Sequence, residues 1–417
     1  MQLQTILNRV EKNKSFVYEN VRFVDQPGAL ELEVTIVPRA NSRAICSGCR
    51  RKRPGYDRLP TRRFEFVPLW QIAVFFVYAV RRVDCPQCGV TAEEIPWCRG
   101  KQTQTLTYQW FLAQWTRRMS WQETARVFRT SWQSVFQAVK HAVFWGLVHD
   151  AWRNVRTLGV DEIAWRKGHS YLTMVYQLDE DRKRLLWIGQ DREKATLEKF
   201  FDCLRPKPSA RVEFVCSDMW GPYVDVIADR APQAVHVLDR FHIMRLMNKA
   251  IDDVRRTEAK QLERDGYEPI LKHSRWCLLK RPENRTQRQT VKLKELLRYN
   301  LQSVKAHLLR EDFQRFWTYQ SSTWAGKFLD EWCTRVMRTR LEPMKKVVRS
   351  LREHRALILN WFEADGRLSA GTVEGFNNKA KLTLRKAYGF KSPETAKIAL
   401  YHTLSDLPQP KFTHEFW

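Results

Sequence analysis

The chain has 417 residues, 43% hydrophobic and 28% charged, with 72 Lys and Arg against 46 Asp and Glu, a net charge of +26. That length holds roughly two to four domains, and basic residues spread along the whole chain point to a long nucleic-acid track rather than one basic tail. The longest apolar run, 71–80, is too short for a bilayer, the first residues lack the pattern of a secretory signal, and nine cysteines, four of them in Cys-x-x-Cys pairs, suit a reducing cytoplasm and metal binding.

Residues 1–100 read as a small β-rich module. Alternation of apolar and polar residues predicts strands at 30–37, 64–67 and 72–80. Between them stand Cys46-Ser-Gly-Cys49 and Cys85-Pro-Gln-Cys88. Each pair is a tight knuckle that presents two thiolates to one tetrahedral Zn²⁺. Gly48 and Gly89 suit the turn a knuckle needs. The gap between the knuckles exceeds the roughly 15–20 residues of the simplest pattern. It holds a strand pair, so an enlarged, zinc-ribbon-like fold is expected. Cys98 is an extra ligand or a stray. Residues 50–53, with Arg58, Arg62 and Arg63, form a candidate phosphate-contacting surface.

Residues 101–150 switch to a helical period. One helix covers 106–118. A second starts at Ser120, with Glu123 three residues on in the capping-box pattern. After a break at Arg129-Thr130-Ser131, a further helix runs over 132–143. This is the pattern of a helix-turn-helix. A helical hairpin linking two domains has the same pattern. In a DNA-binding reading the last helix enters the major groove, with Ser131, Gln133, Ser134, Gln137 and Lys140 facing out.

Residues 157–190 carry three short β-type runs separated by polar turns, which predicts an antiparallel meander. Asp161 lies inside the first run, where a carboxylate near a core needs a partner or a metal. A helix follows at 195–204, a Pro-containing loop at 205–211, and a strand at 212–218 that ends in Asp218. Next come a helix at 223–230, a strand at 234–239 and a long helix at 243–263. The order βββαβαβα is that of an α/β, ribonuclease H-like domain. It would set Asp161, on the first strand, and Asp218, at the end of the fourth, side by side at one sheet edge, since ligands gather at the carboxyl ends of such strands.

Residues 264–360 are polar, basic and helical in period, and read as an all-α insertion. Helices are predicted at 296–317, 323–340 and 341–362, with Trp276, Trp317, Trp324 and Trp332 as the aromatic core of the block. After a loop at 363–371, a helix begins at Thr372. Along it Glu374, Asn377, Asn378 and Lys381 fall at i, i+3, i+4 and i+7, and Arg385 continues the line. The solvated face of a surface helix has the same spacing. A helix at 392–404 and a tail at 407–417 complete the chain. The expected division is 1–100, 101–150, a catalytic core at 151–263 and 361–406 interrupted by 264–360, and the tail.

Four motifs together carry a resemblance. They are Gly-Val-Asp161-Glu, Ser-Asp218-Met-Trp-Gly-Pro-Tyr, Asp239-Arg-Phe-His242, and Val-Glu374-Gly-Phe-Asn-Asn-Lys with Tyr-Gly-Phe after it. They resemble those of DDE-type insertion-sequence transposases, in particular the ISL3 group. That group also begins with a zinc-ribbon-like module and a helix-turn-helix, so the resemblance covers nearly the whole chain. It implies that Asp161, Asp218 and Glu374 form a catalytic triad holding Mg²⁺ or Mn²⁺. Asp239 and His242 match an accessory Asp-x-x-His signature. Glu374 and Lys381 match a spacing in which the Lys touches DNA near the cleavage point, with Asn378 and Arg385 positioning phosphates beside it. The implied activity is cleavage and strand transfer at the terminal inverted repeats. The implied partner is double-stranded DNA, bound by a homodimer or larger assembly. Ala370 stands where an Asn is expected, and Arg385-Lys386 reverses the usual order. A DNA-binding protein that no longer cleaves and a ribonuclease H-like nuclease are the competing readings. The complete triad speaks against the first, and the two N-terminal modules against the second.

Overall fold

The computed structural model describes residues 3–26, 29–166, 168, 170–204, 211–364, 370–387 and 389–411. The expected loops at 205–211 and 363–371, Tyr388 and the end of the tail lie wholly or partly outside them. The chain forms two compact units: Met1–Ala151 with Thr383–Trp417, and Trp152–Leu382. Among the described residues no helix is long and apolar enough to cross a membrane.

In the first unit, helix α1 (Leu3–Val10) precedes strands β1 (Phe16–Gln26), β2 (Ala29–Pro38), β3 (Gly55–Leu69), β4 (Ile72–Cys85) and β5 (Gly89–Ala92). The sheet order is β1-β2-β4-β3, with β5 also on β4. The β2–β4 pairing is parallel and the others are antiparallel. Along β4, Val74, Phe76, Tyr78 and Val80 are buried in alternation, as a strand with one apolar face requires. That face closes on Trp97, whose ring meets Phe16 edge-on at 4.9 Å and Tyr78 at 5.5 Å. The buried Glu93 is answered by the Arg81 backbone N–H (2.8 Å), by Arg81 Nε (2.9 Å) and by the Tyr78 hydroxyl. The expected strand at 64–67 is the end of a much longer one. Strand β1 is exposed along most of its length, which is why its composition gives no clear signal.

Helices α2 (Leu106–Trp115), α3 (Trp121–Val127) and α4 (Trp132–His149) follow. Thr105, Ser120 and Ser131 cap them by accepting the amides of Tyr108, Glu123 and Ser134. The break between α3 and α4 is a left-handed residue, Arg129, with φ 52°. The amide of Thr130 then donates to the Ala125 carbonyl at 2.9 Å. Tyr108, Phe111, Leu112, Ala125, Val135 and Ala138 form the core between the three helices. The helix Pro393–Leu404, which the sequence reading assigned to the catalytic core, packs instead on α4 through Val139, Val143, Ile398 and Leu407. The reason is shape: a Cβ on Gly146 would stand 2.6 Å from Leu407 Cβ, so only glycine admits the tail there.

In the second unit, β6 (Thr157–Arg166), β7 (Ser170–Leu178) and β8 (Lys183–Gln190) form the antiparallel meander. Strand β9 (Phe214–Ser217) runs parallel to β6, and β10 (Val235–Leu238) parallel to β9. The order is β10-β9-β6-β7-β8. Helices α5 (Lys194–Cys203) and α6 (Gly221–Arg230) cover one face through Leu158, Val160, Val175, Phe200, Tyr223 and Val226. The other face receives the helix Ala370–Lys386, where Phe376 stacks on Tyr176 at 5.0 Å.

Helix α7 (Arg240–Arg264) leads into the helical block, and the two share one core. Ile243, Met247 and Ile251 pack with Phe313, Phe316, Trp332 and Met344. Three expectations are corrected here. The helix predicted at 296–317 splits, with its main part at Gln302–Phe313. The one at 341–362 breaks at His354 into Glu342–Glu353 and Arg355–Glu363. Trp276 and Trp324 are exposed rather than core, at 51% and 60%. Their rings carry cations instead, Arg275 at 4.9 Å and Lys327 at 4.6 Å, a use open to an aromatic ring on a basic surface.

His402, on the C-terminal helix, is pushed down to about 3 by burial, with Arg117 adding to the effect. An unfolded histidine titrates near ~6.5. The folded form therefore stays neutral where the unfolded form takes up a proton, and stability falls as pH drops below that value. Acidification from pH 7 to pH 5 is expected to cost about 2 kcal/mol through this residue. Chemical denaturation of His402→Gln at both pH values should show a loss smaller by that amount. Equal losses in parent and variant would refute the assignment.

Candidate active site

The acids meet because of strand register. Gly159 pairs with Cys216 in the β6–β9 ladder, and Leu238 with Ser217 in the β9–β10 ladder. Carried forward, the same register sets Asp161, midway along β6, level with Asp218, and Asp218 level with Asp239, the latter two just past the ends of β9 and β10. Asp161 is buried, at 9% exposure. One of its oxygens accepts the Glu162 amide at 2.7 Å, and the other accepts Asn377 Nδ2 from the helix across the sheet. Asn377 is fixed in turn by the Tyr176 hydroxyl, which donates to Oδ1 at 2.8 Å.

Burial raises the Asp161 carboxyl above its ordinary range; His242 opposes the rise and Asp218 adds to it. Asp239 is pushed up to about 6 by burial, against His242, with Asp161 and Glu374 adding to the rise. Four carboxylates, one midway along β6, two from strand ends and one from a helix far along the chain, are therefore linked pairwise through their fields, although no three of them bring ligand atoms within 4.8 Å of one another. Mutually repelling, partly buried oxygens of this kind fit a hard divalent cation.

Asp218 has other partners. Its Oδ1 accepts the Trp220 amide at 3.1 Å, and Oδ2 is paired with Arg192 at 3.0 Å. Arg192 also pairs with Glu162 at 3.1 Å. Glu162 is pushed up to about 7, first by burial and then by Asp218, against the pull of Arg192.

The four knuckle cysteines also come together. The Sγ atoms of Cys46, Cys49, Cys85 and Cys88 all lie within 4.8 Å of one another. Among the described residues, this is the set of three or more potential ligands drawn that close. A Cβ on Gly48 would stand 2.8 Å from Cys88 Sγ, so the knuckle needs glycine there. Although burial works against it, the Cys85 thiol is lowered to about 6 by the amides of Gln87 and Cys88 and by its neighbouring thiols.

A family model described as a transposase, that of the ISL3-type DDE proteins, matches residues 158–400. The chain is 30% identical to the transposase for insertion sequence element IS1001 of Bordetella parapertussis, over 90% of this chain and 92% of that one. It is also 30% identical to the transposase for insertion sequence element IS1557 of Mycobacterium tuberculosis, over 93% of this chain and 92% of that one. The chain belongs to the ISL3 family of DDE-type insertion-sequence transposases.

In this transposase the stripe expected on the Glu374 helix divides. Glu374, Asn378, Lys381 and Arg385 are exposed, whereas Asn377 turns inward to Asp161. Asp239 caps α7 by accepting the Phe241 amide at 2.7 Å, and His242 stands half-buried one turn on. On α4, Gln133 and Gln137 are exposed, while Lys140 is half-buried with its Nζ 5.8 Å from the Phe144 ring centre. Two site residues escaped the sequence reading. Glu162 was visible as the second acid of the Asp-Glu pair. Arg192 lies in no motif, and only the fold brings it to the acids.

The sheet tolerates the Glu374 helix this close because Gly159 has no side chain. A Cβ there would lie 2.7 Å from Leu178 Cδ1 and 3.0 Å from Val373 Cγ2. Gly159→Ala is expected to destabilise the chain by about 1–3 kcal/mol, as overpacking does. Gly375, on the helix itself, meets nothing within 4 Å, so Gly375→Ala should stabilise by up to ~1 kcal/mol through helix propensity. Denaturant melts of the two variants test this; equal shifts would mean that the close approach at Gly159 is not what limits packing.

Proposed function

We propose that this transposase cleaves the terminal inverted repeats of its insertion sequence and joins them to target DNA, on a ribonuclease H-like core. Asp161, Asp218 and Glu374 are the proposed triad, with oxygen ligands suited to Mg²⁺ or Mn²⁺. The observation that carries this reading is the register that sets Asp161 and Asp218 level on adjacent strands, with Glu374 acting on Asp239 of the strand beside them. When bound, paired divalent cations supply charge stabilisation to the attacking and leaving oxygens of a phosphoryl transfer. The chain's own residues do the rest. Asn377 holds Asp161 toward the site, and His242, on the helix after β10, offsets the charge of Asp161 and Asp239. Lys381, Asn378 and Arg385, exposed on the helix that bears Glu374, would hold DNA phosphates in place without reading sequence. No covalent protein–DNA bond is required, so no Ser or Tyr nucleophile is assigned.

Helices α3 and α4 are proposed as a helix-turn-helix, with Gln133, Gln137 and Lys140 directed to the major groove. The four cysteines would hold a structural Zn²⁺. The partner is double-stranded DNA, at both transposon ends and target. Joining two ends calls for at least a homodimer on DNA, and the place of action would be the bacterial cytoplasm, on the nucleoid.

Glu374→Gln keeps the shape of the side chain and removes its charge. The variant is expected to fold, to bind DNA carrying the element's ends like the parent, and to lose Mg²⁺-dependent cleavage and strand transfer by at least ~100-fold. Cleavage at the parental rate would overturn the triad. A parent that binds those ends but never cleaves them with Mg²⁺ or Mn²⁺ would leave a binding protein. For the cysteine site, elemental analysis should find one zinc per chain. Cys85→Ser should lose the metal and unfold at lower temperature, since ligand binding to the folded form alone stabilises it. Zinc-free parent protein with unchanged melting would refute this.

A further inference from the structure

Arg192 is the one feature of the site that no motif anticipates, and its surroundings are built to hold it. It follows β8 directly after Asp191, a left-handed residue with φ 68°. That turn is pinned on both sides: the Asp191 amide donates to the Tyr171 carbonyl at 3.0 Å, and Thr173 Oγ1 donates to the Asp191 carbonyl at 2.7 Å. The guanidinium lies over the Trp220 ring at 4.5 Å. Trp220 rests edge-on against Tyr223 at 4.6 Å, and the Tyr223 hydroxyl is 2.9 Å from Thr173 Oγ1. The Trp and Tyr of the Asp218-Met-Trp-Gly-Pro-Tyr motif thus form a shelf for Arg192.

From that shelf Nη1 reaches Glu162 Oε1 and Nη2 reaches Asp218 Oδ2. The clamp is left incomplete. Arg192 Nε and Glu162 Oε2 are both buried without a hydrogen-bond partner. Each buried orphan costs about 1–3 kcal/mol, so the clamp is weaker than its two ion pairs alone would make it. An oxygen that already accepts a charged hydrogen bond is also a weaker ligand for a cation, since both compete for the same lone pairs.

We propose that Arg192 is a positioning residue that competes with the divalent cation for Asp218 and, once displaced from that oxygen, turns its guanidinium to a phosphate of the DNA. The proposal rests on the triad reading above and adds a regulatory step to it. Without DNA, Arg192 holds the site in a weakly metal-binding form. With DNA, the phosphate takes over the guanidinium and Asp218 is released to the cation. The planar fork and Trp220 shelf suit a phosphate, which arginine grips with two parallel hydrogen bonds.

The test is a titration of the full-length protein with Mn²⁺ alone, without DNA, followed by electron paramagnetic resonance. Arg192→Ala is expected to bind Mn²⁺ about tenfold more tightly than the parent, equivalent to about 1.4 kcal/mol. The same variant is expected to cleave DNA more slowly at saturating Mn²⁺. Arg192→Lys, with the charge but not the fork, should fall between them. A merely structural clamp predicts the opposite sign, weaker Mn²⁺ binding from a loosened site. Unchanged or weaker Mn²⁺ binding in a folded Arg192→Ala protein overturns the proposal. Asp218→Asn separates the two layers of inference: it must abolish Mn²⁺ binding at this site. If it does not, the triad reading fails. If it does and Arg192→Ala binds no tighter, the role of Arg192 alone fails.

Discussion

Parallel pairing of β6, β9 and β10 is the constraint on which the site depends. Neighbouring strands lie about 4.8 Å apart, and their register sets Asp161, Asp218 and Asp239 level with one another. Two like charges at about 5 Å, at an effective dielectric near 20, repel by roughly 3 kcal/mol. Such an arrangement persists only if cations or shared protons answer it. Much of the remaining structure around the sheet edge can be read as that answer.

The answer comes from both faces of the sheet. On one, the Glu374 helix sends Asn377 to Asp161, fixed by Tyr176 and made possible by the bare backbone of Gly159. On the other, the turn after β8 sends Arg192 to Asp218 and Glu162. From the end of β10, α7 adds His242, whose charge opposes the rise of Asp161 and Asp239. The helical block has a place in this scheme. It is continuous with α7 through a single apolar core, within which the chain travels before the segment that leads to Glu374.

The first unit solves a different problem. Its sheet is built on a cluster of aromatic rings around Trp97, while its cysteine knuckles sit on short turns at one end with little apolar mass behind them. A metal held by the four thiolates would do for such a turn what a core does elsewhere, by tying distant segments to one point. Of the three capped helices that follow, α2 and α3 are short, and their order depends on the tertiary core shared with α4 rather than on helix propensity.

The sequence by itself determined a good deal. Alternating residues marked the meander of β6 to β8, an acid inside the first apolar run marked Asp161, acids at the ends of later runs marked Asp218 and Asp239, and paired cysteines marked the knuckles. Each is a local pattern, written within a few residues, and the motifs around the acids together carry the resemblance to the family. The aromatic content of the helical block was legible, but its distribution was not: Trp332 lies inside while Trp276 and Trp324 lie outside, because burial depends on which face of a helix meets another. The stripe on the Glu374 helix was legible as a spacing, yet only packing against the sheet turned Asn377 inward and left Glu374, Asn378 and Lys381 out. The C-terminal helix could be drawn from its period, but only the fit of Leu407 against Gly146 decided that it joins the first unit. Arg192 lay beyond sequence reading altogether. It is one arginine among many in a strongly basic chain, and its meaning arises from a left-handed turn, a tryptophan shelf and two carboxylates contributed by other strands. Local chemistry is encoded locally; the partner that balances a charge is chosen by the fold, because electrostatic balance is a property of space and not of order along the chain.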